Sequence, residues 1–166
     1  MVKTLAEQLG PDTIRKFERA APQRIKEAET LVVGEHRLTA IYLYGYAIEM
    51  LLKAVYFKQI LRYGVNMEID RETRTRVEAR ARDSELMSRS EPHDFSGWAR
   101  LLVEDRRVLK KDEYEKKFGQ QIVDKAALAY EKWRPAMRYR VTDASEGDVQ
   151  AIQSVAGWFL QKYPTM

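Results

Sequence analysis

Lys132, Arg134, Arg138 and Arg140 place four cations within nine residues with no acid among them, and Trp133 and Tyr139 stand between them. Guanidinium groups hold phosphate oxygens and aromatic rings stack on bases, so this mixture suits contact with a nucleotide or RNA. Proton transfer needs another residue type. Histidine moves protons near neutral pH, and the chain has two, His36 and His93. His93 precedes Asp94 where a helix should start, and reads more simply as a structural histidine than as a catalytic one; His36 falls in a loop. Neither sits in a His-x-x-x-His or Glu-x-x-His arrangement, so no metal site is signalled. There is no Gly-rich phosphate loop and no G-x-S-x-G, and no cofactor is implied. The absence of cysteine excludes a thiolate nucleophile, a disulfide framework and a cysteine-rich zinc site.

Glu49 and Lys53 are the second chemical feature. They interrupt an otherwise apolar run from Leu38 to Ala54. On a helix they lie one turn apart on one face, in the order that suits the helix dipole, with Tyr42, Gly45 and Tyr46 near that face. The simplest reading is a core helix whose two charges neutralise each other. Tyr42, Tyr44, Tyr46 and Tyr56 could form a stacking surface, although rings at such positions mostly pack helices together.

The elements that must carry these residues follow from apolar spacing. A helix over 12–33 has Asp12 or Thr13 as its cap, and Pro22 should kink or divide it. The long helix of 37–62 comes next, with Gly64-Val65-Asn66 marking its stop. From Asp70 to about Ser88 the chain is polar, with Val77, Ala81 and Met87 as its few apolar positions and Glu78 paired to Arg82. Its basic look is misleading, because seven arginines between 62 and 91 face seven acids. Pro92 ends that segment. A helix starting near Asp94 should bury Phe95, Trp98, Leu101 and Leu102; Lys110 to Lys117 reads as a charged connection. Ile122, Ala126, Ala129, Tyr130 and Trp133 mark another helix, ended by Pro135. Ser145 to Asp148 resembles a capping box, and Val149, Ile152, Val155, Ala156, Phe159, Leu160 and Tyr163 form the inner face of a last helix. No run alternates with period two. The expected fold is all-α: an up-and-down bundle of four to five long helices, one domain over 1–166, with a charged insertion at about 63–92 that is either a solvated helix protruding from the bundle, the favoured form, or a partly ordered loop.

The run Gly45-Tyr46-Ala47-x-Glu49-x-x-Leu52-Lys53-Ala54, preceded by Ala40 and Tyr42, resembles the signature helix of the HEPN domain family. His93-Asp94-Phe95-x-x-Trp98-x-x-Leu101-Leu102 is similar to that family's His-Asp-Leu-x-x-Leu element, and Met137-Arg138-Tyr139 before the last helix is similar to its Arg-Tyr turn. The resemblance spans about residues 23 to 163 and makes Gly45, Glu49 and Lys53 its structural signature. It implies a helical bundle associated with RNA or nucleotide binding, pairing as a homodimer, and partnered in some members by a nucleotidyltransferase-type protein in toxin–antitoxin or defence systems. Catalytically active members cut RNA without a metal through Arg-x(4–6)-His. Here the histidine positions counted from Arg134 hold Tyr139, Arg140 and Val141, and those counted from Arg138 hold Asp143, Ala144 and Ser145. Tyr139 is a poor replacement, since tyrosine titrates near pH ~10.

The resulting expectation is a non-catalytic binding module for RNA, a nucleotide or a protein partner, with Lys132, Arg134, Arg138, Tyr139 and Arg140 as ligand contacts. Two alternatives stand beside it. One is a metal-independent endoribonuclease using Arg134, Arg138 and Tyr139 with a displaced histidine, His93. The other is a purely structural dimeric bundle, in which each of the four cations would pair with a local acid. Glu7 interrupts any signal-peptide-like apolar run, and Glu49 and Lys53 break the longest membrane-span candidate, so a cytoplasmic chain without a membrane partner is expected. The net charge of +4 hints weakly at anionic partners.

Overall fold

Thr13 starts the first helix by accepting a hydrogen bond from the Lys16 N–H at 3.1 Å, which satisfies one of the donors left free at any helix start. The helices that follow come from a computed structural model that describes residues 11–91, 93–109, 113–140 and 143–166. They are α1 (Ile14–Val33), α2 (Arg37–Gln59), α3 (Arg71–Asp83), α4 (Phe95–Leu109), α5 (Glu113–Lys132) and α6 (Glu146–Lys162), with 3₁₀ turns at Pro135–Tyr139 and Tyr163–Thr165. The fold is all-helical. Six α-helices lie among the described residues, five of them at least 15 residues long and α3 shorter at 13.

Helix α2 is the axis of the bundle, packing against α1, α4, α5, α6 and the first 3₁₀ turn. Its apolar residues point in all directions, as expected of a helix surrounded by others. By length and composition it could cross a membrane, but 67% of its apolar window is buried inside this bundle. Phe57 on α2 and Trp98, Phe95, Trp133 and Phe159 around it are fully enclosed. Aromatic side chains of this size supply much of the burial that stabilises a domain.

Several boundaries differ from the sequence expectation, each for a physical reason. Pro22 does not divide α1, which runs unbroken through it. Ile14, Ala21, Ile25 and Ala28 on both sides of the proline are buried, and this packing outweighs the one backbone hydrogen bond that proline removes. Helix α2 stops at Gln59 rather than 62, where the chain turns through Arg62 in a left-handed conformation (φ 59°). Of the charged connection expected at 110–117, residues 113–117 already belong to α5, while 110–112 lie outside the described residues. Ser145 caps α6 as its spacing predicts, accepting from the Asp148 N–H at 3.1 Å.

The charged segment at 63–92 contributes α3. Asp70 caps it through the Thr73 N–H at 2.7 Å, and Glu78 pairs with Arg82 at 3.2 Å. Thr73, Val77 and Ala81 bury its inner face, and Met87 is buried just beyond it. Arg80 reaches across to Asp105 on α4 and to the Tyr56 hydroxyl at 2.9 Å on α2.

Candidate functional site

Gly45 sets the geometry at the middle of α2. A Cβ there would lie 2.2 Å from the Trp133 indole, so only glycine lets that ring lie against the helix. The indole N–H donates to the Tyr42 carbonyl oxygen at 3.0 Å. Trp133 in turn packs against two rings of that helix, Tyr46 at 5.4 Å edge-on and Tyr42 at 6.4 Å stacked. Two residues further, Pro135–Tyr139 folds as a single 3₁₀ segment, with Arg134 in the extended conformation that a following proline favours. In this way the end of α5 carries Arg138 and Tyr139 toward the face of α2 that holds Tyr42 and Tyr46.

On that face Glu49 is buried, with 3% exposure, and so is Lys53 at 8%. Lys53 Nζ donates to Glu49 Oε1 at 2.6 Å and lies 5.4 Å from the centre of the Trp98 ring. Burial alone would push the Glu49 carboxyl up, but Lys53 and His93 more than offset it and hold the group below the usual glutamate range. The carboxylate is therefore ionised, and it can only accept hydrogen bonds.

His93 completes the cluster. Its Nδ1 lies 3.0 Å and 3.2 Å from the two Glu49 oxygens, so Nδ1 carries the proton that the carboxylate accepts. Its Nε2 has no hydrogen-bond partner among the described residues, and the side chain is 43% exposed. The imidazole is thus gripped on one edge and open on the other. A left-handed backbone (φ 61°) turns it back toward α2, a conformation that histidine tolerates better than most side chains. Asp94, not His93, caps α4, accepting from the Gly97 N–H at 2.8 Å and the Ser96 hydroxyl at 2.6 Å.

Tyr46 bridges the histidine and the cationic turn. Its ring meets His93 at 5.8 Å and Tyr42 at 4.8 Å, and its hydroxyl accepts from the Tyr42 hydroxyl at 3.2 Å. Burial first, then the contact with Tyr42, keeps the Tyr46 hydroxyl protonated far above neutrality. Arg138 faces the Tyr42 hydroxyl, which stabilises the guanidinium charge, and lies 4.8 Å from the centre of its neighbour's ring, Tyr139. Tyr139 is 74% exposed.

The four cations divide. Arg134 stacks 3.9 Å over the Tyr130 ring and donates to the Trp133 carbonyl oxygen at 2.7 Å. Arg134, Arg138 and Arg140 form no ion pair among the described residues, whereas Lys132 pairs with Asp148 at 2.8 Å in the first turn of α6. Of the four tyrosines read as a stacking surface, Tyr44 and Tyr56 are buried, which leaves Tyr42 and Tyr46 at the site. Among the described residues no group of three or more acids and histidines is placed to hold a metal ion.

No protein-family model, no curated protein and no solved structure matches this chain. The chemistry of the Glu49, His93, Tyr42, Tyr46 and Arg138 cluster therefore carries the functional reading. The roles of Tyr42 and Tyr46 as the link between His93 and Arg138 were missed by spacing alone; their positions one turn apart, and one turn before Glu49, are the signal that could have found them.

Proposed function

We propose that the chain is a cytoplasmic, HEPN-like binding module for single-stranded RNA or its nucleotides, with the ligand on the face formed by His93, Tyr46, Tyr42, Arg138 and Tyr139. The observation that supports this most is Arg138, a cation with no acid partner among the described residues, set between the Tyr42 hydroxyl and the exposed Tyr139 ring. Arg138 would hold a phosphate, Tyr139 would stack on a base, and Arg134 and Arg140 would extend the positive surface. A purely structural bundle is less well supported, since it calls for acid partners to all four cations and only Lys132 has one among the described residues. In a toxin–antitoxin or defence setting, the module would act as a homodimer beside a nucleotidyltransferase-type protein.

One contact favours a second reading, a metal-independent endoribonuclease: the Nδ1 of His93 on the buried Glu49 carboxylate. An imidazole so oriented can take the 2′-hydroxyl proton on Nε2 as O2′ attacks phosphorus. The bond to the 5′-oxygen then breaks, and that oxygen takes a proton from water, leaving a 2′,3′-cyclic phosphate and a 5′-hydroxyl. Labelled single-stranded RNA incubated without metal separates the readings. Salt-sensitive binding without cleavage, weakened about tenfold in Arg138→Ala, is the expected result. Cleavage that His93→Ala abolishes would replace the binding reading with the enzymatic one, and no binding at any salt would leave a protein partner as the ligand.

A further inference from the structure

His93 offers a ligand one polar atom, and the fold has set its polarity. Nδ1 faces both oxygens of the Glu49 carboxylate, at 3.0 Å and 3.2 Å, and Lys53 Nζ holds that carboxylate in place at 2.6 Å. An ionised carboxylate only accepts, so the neutral imidazole keeps its single proton on Nδ1 and Nε2 is left as an acceptor. Glu49 is 3% exposed and the histidine side chain 43%, which puts the open part of the ring on the side away from Nδ1. Arg138 has the opposite character, since a guanidinium only donates. A phosphodiester oxygen therefore suits Arg138 and finds no donor at a bare Nε2. The two groups share one patch of α2. The Tyr46 ring lies 5.8 Å from the His93 ring, and its hydroxyl is 3.2 Å from that of Tyr42. Arg138 faces the Tyr42 hydroxyl, and its charge acts on the Tyr46 hydroxyl as well. One pair of touching tyrosines thus links the acceptor to the cation.

We propose that His93 Nε2 accepts a hydrogen bond from the 2′-hydroxyl of the ribose whose 3′-phosphate sits on Arg138, which makes the face selective for ribose over deoxyribose. This rests on the RNA-binding reading and deepens it, giving the histidine a part in recognition with no proton transfer. In a ribonucleotide the donor nearest a 3′-phosphate is the 2′-hydroxyl on the adjacent carbon, whereas the donors of the base stand across the sugar. A single patch that holds the phosphate at one end therefore meets the sugar hydroxyl at the other. Deoxyribose sets a C–H against the acceptor and forfeits that bond. Because the histidine is partly open to water, the loss is the net value of one hydrogen bond, about fivefold in affinity. Glu49 is a positioning residue here. It is buried away from the strand and acts by keeping the ring proton on Nδ1.

Two measurements on the full chain test this. In the first, nitrogen NMR of the imidazole reads which ring nitrogen of His93 carries the proton in the neutral ring; Nδ1 is expected, and a proton on Nε2 would overturn the proposal. In the second, affinities are compared for single strands of one sequence in ribo, 2′-deoxy and 2′-fluoro form, the last keeping a ribose-like pucker without a hydroxyl to donate. Wild type is expected to bind the ribo strand about fivefold more tightly than either of the others. His93→Ala should bind all three alike. So should Glu49→Gln, whose amide can donate to Nδ1 and move the ring proton to Nε2. Arg138→Ala should weaken all three and keep their order. Equal affinity of wild type for the ribo and 2′-fluoro strands would overturn the proposal and leave the RNA-binding reading standing, and no binding of any strand would overturn both. Cleavage of the ribo strand would also overturn it, because Nε2 would then remove the hydroxyl proton rather than read it.

Discussion

Helix α2 carries two polar clusters of similar make-up, about two turns apart, and they end differently. Toward its C-terminus, Tyr56, Asp105 and Arg80 close on one another: the Tyr56 hydroxyl donates to Asp105 at 2.7 Å, and Arg80 bonds both of the others. Every member of that group has its partner inside the group. At the middle of the helix Glu49, Lys53 and His93 also pair, but the histidine keeps one nitrogen without a partner among the described residues and turns it outward. The first cluster ties α3 and α4 to α2. The second has what a ligand site needs: an oriented donor or acceptor left over after folding is satisfied.

Substitutions that break the two clusters should therefore have different costs. Glu49→Ala should be the most damaging, because it leaves the Lys53 ammonium buried without its carboxylate; a loss of about 3–5 kcal/mol in urea unfolding is expected. Next comes Gly45→Ala, which forces a methyl group into the Trp133 ring and should cost about 1–3 kcal/mol while disturbing Tyr42 and Tyr46 with it. Acidification should act on the same cluster. The folded chain holds Glu49 below the usual glutamate range, so the unfolded chain binds more protons between the two values. That contribution is complete above the ordinary glutamate value and is lost as pH falls through the depressed one. Wild type should lose more stability than Glu49→Gln across that window, measured as the difference between their unfolding midpoints. Arg80→Ala should be the mildest, at about 1 kcal/mol or less, because half of that side chain faces solvent (53% exposed). It should leave RNA affinity untouched, whereas Arg138→Ala should do the reverse.

Much of this molecule could be read from local spacing. The Thr13 and Ser145 caps, the inner faces of α4 and α6, and the pairing of Glu49 with Lys53 all follow from residues within a turn or two of each other. What escaped was set by packing between distant segments. His93 reaches Glu49 across 44 residues, through a left-handed turn that no pattern announces. Gly45 reads as a signature residue, but its reason is Trp133, which arrives from just beyond the end of α5. Lys132 belongs by sequence to the cationic cluster, and the return of the chain into α6 pairs it with Asp148 instead. The local cost of Pro22 does not decide the course of α1, because the buried residues on either side hold the helix together.

The most direct test is to crosslink RNA to the intact chain with ultraviolet light and map the modified residues by mass spectrometry. Crosslinks at Tyr139, Tyr46 or Tyr42, lost in Arg138→Ala, are the predicted result; crosslinks confined to residues outside that face, or none at all, would contradict it.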